Sequence, residues 1–263
     1  MEQYGSYEVV KELSAAQDFV VYRARLKSSG VAADGDFVIK AFVSQGFVGG
    51  GTQLWRRSEL KSVPLEQRVH TDAEAFLDAV RKQQKAGSQG SPYIAPIVGS
   101  GQDERGCWYA TRFYPHSIKN IIEGRVSLNQ DVFHHVVRSI TRGLLVFKKL
   151  TGQSHGNLKP GNVLIGGGEK IRQAEIVLID PSPDKTEEAR AYELSDLHAL
   201  GEIMYQLVRR KEVEVMSHWP LVPSPEWSNL FGEMADAWRD FCNKLLDPQL
   251  PVHPITLEEL EAE

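Results

Sequence analysis

The sequence predicts an α+β fold in two lobes: a small antiparallel β lobe carrying one helix, followed by a larger, mainly helical lobe. Three observations predict it. The first forty residues alternate apolar and polar positions, as half-buried strands do. After one helical stretch the strand pattern returns between Tyr93 and Tyr114. Beyond Pro115 the period lengthens to that of amphipathic helices, and only two short strand-like runs interrupt it. The expected boundary near residues 113 to 117 gives a small lobe of residues 1–114 and a large lobe of residues 115–263 within one domain.

Each element has its own justification. "YEVVKEL", "FVVYRARL" and "DFVIKAFV" read as strands of an antiparallel meander, separated by turn-rich segments such as "KSSGVAADGD". A Gly-rich polar insert over residues 44 to 70 follows. Helical periodicity begins near Thr71 and runs through Ala73, Phe76, Leu77 and Val80. "YIAPIVGSGQDERGCWYATRFY" then reads as strand, turn, strand. In "DVFHHVVRSITRGLLVFKKL" the apolar positions Val132, Val136, Ile140, Leu144, Leu145 and Phe147 predict a long amphipathic helix. "NVLIGG" and "EIVLID" are short strands, and "SDLHALGEIMYQLVRR", "MADAWRDFCNKLL" and "ITLEELEAE" are helical.

Composition narrows the function classes. A formal net charge of -5 argues against a general footprint for nucleic acid or an anionic membrane. The two cysteines, Cys107 and Cys242, lie inside a predicted strand and a predicted helix, so they read as buried thiols of a reducing compartment. No run of eighteen apolar residues and no signal-type start is present, so the expected location is cytoplasmic, as all or part of a longer protein. Adjacent His134 and His135 point to different helix faces and lack a third ligand, which disfavours a metal. The glycines at Gly49 to Gly51 lack the lysine and helix start of a phosphate-binding loop.

The motifs that carry chemistry occur in one order. "FVIK" ends on Lys40, "HGNLKPGN" runs from His155 to Asn162, "LIDPS" contains Asp180, and "SDLHALGEIMYQLV" begins with Ser195 and Asp196. In that order the chain resembles the protein kinases of the serine/threonine type, including the bacterial kind, from roughly Tyr7 to Leu260. The resemblance implies a bilobal protein-kinase-like fold. It makes Lys40 the match for the phosphate-pairing lysine, with Glu74 as its simplest carboxylate partner and Asp78 one turn later. It makes Asn162 and Asp180 the magnesium positions and Asp196 the anchor of the catalytic-loop backbone. Asn162 and Asp180 equally suit hydrogen bonding within turns, and the sequence leaves both roles open.

Several parts of a phosphotransferase are missing. In "SAAQDFVVY" the three positions matching the glycines of the phosphate-covering loop are Ser14, Ala16 and Phe19, and Asp18 adds negative charge. Asn157 stands at the position of the catalytic base, where a neutral amide cannot take a proton. Val38 replaces a small residue where an adenine ring would lie. Asp180 is followed by Pro181 and Ser182, and only fifteen residues separate it from Asp196, too few for a full activation segment with a peptide platform. No APE-like closure exists, and His253 stands about where its arginine partner belongs.

The expectation is therefore a catalytically inactive pseudokinase that acts as a protein-binding scaffold or allosteric regulator in signalling. Its catalytic set is empty, and Lys40, Glu74, Asn162 and Asp180 are vestigial nucleotide and magnesium positions. No cofactor and no metal are assigned: ATP with magnesium is what the resemblance implies, and the lost glycines argue against it. The expected partner is a protein, with the insert carrying Phe47 and Trp55 and the shortened segment after Asp180 as candidate surfaces. An unconventional phosphotransferase acting on a protein or a small molecule, or a nucleotide sensor, is the alternative, using Lys40, Asn162 and Asp180.

Overall fold

The computed structural model describes residues 2–16, 19–27, 36–42, 65–103, 106–167, 171–183, 189–213, 215–247, 256, 257 and 259. Asp18, the insert as far as residue 64 with Phe47, Gly49 to Gly51 and Trp55, His253, and most of "ITLEELEAE" lie outside them. The chain divides into two compact units, Met1–Ser88 with Pro96–Phe113, and Gln89–Ala95 with Tyr114–Glu263.

The first unit is an antiparallel sheet with one helix. Strands β1 (Gln3–Tyr4), β2 (Tyr7–Ala15), β3 (Phe19–Leu26), β4 (Asp36–Phe42), β5 (Ile97–Asp103) and β6 (Gly106–Arg112) are ordered β1-β2-β3-β4-β6-β5. Helix α1 spans Leu65–Gly87. Alternation divides the sheet's side chains between two cores. Tyr4, Tyr7, Ala24, Ile39, Ala41, Trp108 and Ala110 fill one face. Phe42, Cys107 and Tyr109 face the other way and meet Phe76 and Val80 of α1. Each fully buried side chain of this size contributes about 1.5–3 kcal/mol. On the first face the rings of Tyr7 and Trp108 lie so close to β5 that a Cβ at Gly99 or Gly101 would stand 2.9 and 2.8 Å from them. That is why an otherwise ordinary strand carries "GSG".

Two boundaries differ from the sequence reading. Helix α1 starts at Leu65, six residues before Thr71, because "LEQRVH" supplies good helix formers but too few apolar residues for a recognisable stripe. The stretch at Tyr93 divides at Pro96. Ala95 N–H donates to Leu178 O (3.1 Å) and Leu178 N–H to Tyr93 O (2.9 Å), so Tyr93 to Ala95 belong to the second unit, while β5 begins at Ile97. Proline lacks the N–H that would carry the ladder through.

The second unit holds strands β7 (His116–Ser117), β8 (Val163–Ile165) and β9 (Ile176–Leu178), ordered β7-β8-β9, with helices α2 (Ile118–Ile122), α3 (Gln130–Thr151), α4 (Ala189–Arg209), α5 (Pro225–Phe231) and α6 (Ala235–Leu246). Asn129 caps α3 by accepting from Val132 N–H at 2.9 Å, and Gly152 ends it in the left-handed region at φ 79°. The stripe Val132, Phe133, Val136, Val137, Ile140, Leu144 and Phe147 is buried. Phe133 meets Phe231 and Trp238 edge-on at 4.8 and 5.3 Å, tying α3 to α5 and α6. Among the described residues no helix is long and apolar enough to cross a membrane.

Candidate functional site

In the second unit the expected site residues converge on two loops. The first, residues 154–162, links α3 to β8; the second begins at Ile179, just beyond β9. His155 is buried, and its Nε2 donates to Ile179 O at 3.0 Å, since a carbonyl oxygen only accepts. Ser182 N–H returns a bond to His155 O at 2.7 Å. Gly156 takes a left-handed φ of 69°, which turns its N–H onto both carboxylate oxygens of buried Asp196, each at 3.0 Å. Asp196 of α4 thus holds the loop backbone, as the motif order implied.

The remaining contacts form a closed circuit. Asn157 Nδ2 donates to Asp180 O (2.8 Å), Asn162 Nδ2 donates to Asn157 O (2.8 Å), and Ile179 N–H donates to Asn162 O (3.0 Å). Asp180 lies within this circuit at φ 56°, a left-handed conformation that costs a non-glycine residue about 1 kcal/mol or more. The bond from Asn157 fixes the outgoing peptide of that strained residue.

This arrangement settles what the amide at position 157 offers chemically. Its nitrogen is spent on a carbonyl, and its own oxygen is too weakly basic to receive a proton from a hydroxyl near neutral pH. A carboxylate could not make the same bond, because it has no proton to give. Asn162 is buried at 4% exposure with its nitrogen committed, while its Oδ1 accepts no hydrogen bond among the described residues. That oxygen and the Asp180 carboxylate are hard donors of the type magnesium accepts. Were magnesium held here, they would supply at most two ligands, and phosphate or water would have to furnish the rest.

The first unit places Lys40 on β4 opposite Val21 and Tyr109, on the sheet face that α1 covers. Its Nζ lies 4.6 Å from the centroid of the Phe19 ring. The β2–β3 hairpin closes tightly, with Ala16 N–H donating to Phe19 O at 2.8 Å and Ala15 paired with Val20. Ser14 and Ala16 are exposed along this hairpin. Val38 is half-buried, paired with Arg23 and Thr111.

Glu74 does not reach Lys40. Helix α1 turns Ala73, Phe76, Leu77 and Val80 to the sheet, which leaves Glu74 exposed and without an ion pair among the described residues. Asp78, one turn later, is the half-buried carboxylate, 3.5 Å from Arg81 and 4.0 Å from Lys82. The two carboxylates are one turn apart along α1, and Asp78 is the less exposed of them.

Other features are structural. His134 is exposed and lies 4.8 Å from the Trp238 ring, whereas His135 Nε2 donates to Ala174 O at 2.8 Å. No group of three metal-ligating side chains occurs among the described residues. From Asp180 to the first residue of α4, Ala189, there are eight residues, 181–188, of which 184–188 lie outside the described set.

Two details escaped the sequence reading. The donor role of Asn157 has a backbone partner 23 residues away, which no side-chain pattern marks. The contact between Phe19 and Lys40 was traceable in principle, because a β3–β4 register pairing Phe19 with Phe42 and Val21 with Lys40 puts both on one face.

Solved structures with the same architecture exist. A double mutant of the Mycobacterium tuberculosis PknI kinase domain is similar to this chain with TM-score 0.60 and 17% identity, covering 99% of this chain and 95% of that one. A single mutant of the same domain matches with TM-score 0.59 and 17% identity over 99% and 95% of the two chains. At such identity the likeness establishes the fold alone, which is protein-kinase-like. No protein-family model matches the sequence, and no curated protein does.

Proposed function

We propose that the chain is a pseudokinase: a kinase-like domain that transfers no phosphoryl group, binds nucleotide weakly or not at all, and works in signalling by binding another protein. The observation that carries this reading is the bond from Asn157 Nδ2 to Asp180 O. It puts a committed, non-basic donor where a proton acceptor is required, and loss of a general base removes about two to four decades of rate. Two further features support it. Substituted positions Ser14, Ala16 and Phe19 line a tightly closed hairpin in place of an open glycine cradle. The eight residues between Asp180 and α4 are too few to build a platform for a peptide substrate.

The retained frame then serves architecture. His155, Asn157, Asn162 and Asp196 stitch two loops and a helix into one unit that can present a constant surface to a partner. A cytoplasmic location accords with the two buried free thiols. A nucleotide sensor without turnover is the second reading, favoured by the open Oδ1 of Asn162 beside the Asp180 loop.

Melting temperature with and without millimolar Mg-ATP separates the two, because a ligand that binds only the folded chain raises it. The scaffold reading expects a shift within experimental scatter. A rise of several degrees that Asp180→Ala abolishes would replace it with the sensor reading.

A further inference from the structure

We propose that Phe19 is a built-in occupant of the anion site of Lys40, so that the small lobe admits a polyphosphate only when this ring withdraws. The proposal deepens the pseudokinase reading and rests on it for the identity of Lys40 as the phosphate-facing lysine.

The contact follows from strand register. In the β3–β4 pair Phe19 stands opposite Phe42 and Val21 opposite Lys40, so Phe19 and Lys40 are diagonal neighbours on the face that α1 covers. A diagonal pair lies within reach of an aromatic ring and a long side chain. The result is an ammonium 4.6 Å from the ring centroid, inside the range of a cation–π contact.

The ring is held from several sides. It lies 5.6 Å from the Phe42 ring and 5.7 Å from the Phe76 ring of α1, and Phe76 stacks on Tyr109 at 5.8 Å. The backbone of the same residue accepts from Ala16 N–H and closes the hairpin turn. Both ends of Phe19 are therefore anchored, one by packing and one by the turn.

Chemistry explains the consequence. Lys40 is half-buried, and the π face of Phe19 is one of the groups its ammonium meets. A polyphosphate approaching Lys40 from that side must displace the ring, and so must break the cation–π contact and the Phe42 and Phe76 contacts together. A glycine at this position would offer no such ring.

The test uses the full chain in two measurements. Lysines are reductively methylated with carbon-13, which keeps their charge, and the Lys40 resonance is assigned by its loss in Lys40→Arg. In the wild type it is expected upfield, shielded by the ring, and in Phe19→Leu, which keeps apolar bulk, it is expected at the position of exposed lysines. Titration with tripolyphosphate then reads the site itself. Phe19→Ala is expected to bind it at least about tenfold more tightly than the wild type, and Lys40→Ala in the same background is expected to cancel the gain. A Lys40 resonance that Phe19→Leu leaves unmoved overturns the contact. A wild type that binds tripolyphosphate as tightly as folded Phe19→Ala overturns the occupant role and leaves the pseudokinase reading standing. Failure of that reading would appear as ATP turnover, which neither measurement detects.

Discussion

Replacing Asn157 by aspartate restores the acid that a phosphotransferase needs, and the structure predicts that it damages the protein without activating it. The amide nitrogen lies 2.8 Å from Asp180 O. An ionised carboxylate there has acceptors only, so the bond is lost and two oxygens face each other. Loss of an ordinary hydrogen bond costs about 0.5–1.5 kcal/mol, and an orphaned acceptor in a desolvated place about 1–3 kcal/mol. Asn157 is half-buried, so the lower part of the combined range applies, about 2 kcal/mol. For a chain of this size that lowers the melting temperature by about 4–8 °C at neutral pH.

The deficit has a defined pH dependence. The protonated carboxyl can donate to Asp180 O as the amide does, so the folded state favours the neutral form and raises the pKa of the new group above its unfolded value of about 3.9. A group with a raised folded pKa contributes stability below its unfolded pKa and loses it as pH rises through the folded one. Asn157→Asp should therefore approach the wild type near pH 3–4 and fall below it toward pH 7. Asn157→Ala loses the same bond but adds no charge and no titrating group, so its deficit, about 1–2 kcal/mol, should be the same at all pH values. Chemical unfolding of the three proteins across that range provides the assay. An Asn157→Asp protein as stable as the wild type at pH 7, or destabilised equally at every pH, would refute the reasoning.

Three more outcomes follow from the same coordinates. Gly143→Ala should cost about 1–3 kcal/mol, read as a lowered denaturation midpoint, because the new Cβ of α3 would meet Leu178 Cδ1 at 2.9 Å, Leu178 Cγ at 3.0 Å and Tyr93 O at 3.4 Å. Burial pushes the thiols of Cys107 and Cys242 up, with Asp103 adding to the effect at Cys107, so neither should react with iodoacetamide in the folded protein at pH 8 and both should react in urea. The Glu226 carboxyl is held below its ordinary 4.5, first by the Ser224 hydroxyl, then by its own backbone N–H, with Arg209 adding to both. A depressed pKa contributes stability above the unfolded value and loses it as pH falls through the folded one. The difference between wild type and Glu226→Gln should thus be largest near neutral pH and fade as the solution is acidified below the carboxyl's ordinary range.

Much of the fold was legible because the strands and long helices announce themselves by period. The strand patterns at Tyr7, Phe19 and Asp36 and the α3 stripe from Val132 to Phe147 follow from alternation and 3.6-residue spacing alone. The start of α1 was not legible, since its first turns carry little apolar periodicity. The two-residue strand β1, which pairs Gln3 with Glu8 and Tyr4 with Tyr7, is too short to show any period. At the site, motif order located the loop that Asp196 anchors, but not the carboxylate on the inner side of α1. The choice between Glu74 and Asp78 depends on helix rotation, which is set by how Phe76 seats between Phe42 and Tyr109. Nor does a sequence reveal when a side chain serves a distant backbone atom, as Asn157 serves Asp180 O.

The central claim is that no phosphoryl group moves. Purified full-length chain incubated with γ-labelled ATP and magnesium or manganese tests it directly, with phosphate release, autophosphorylation and transfer to a generic protein substrate followed together. The account predicts no label above the level of an Asp180→Ala control. Turnover that Asp180→Ala and Lys40→Ala each abolish would contradict it.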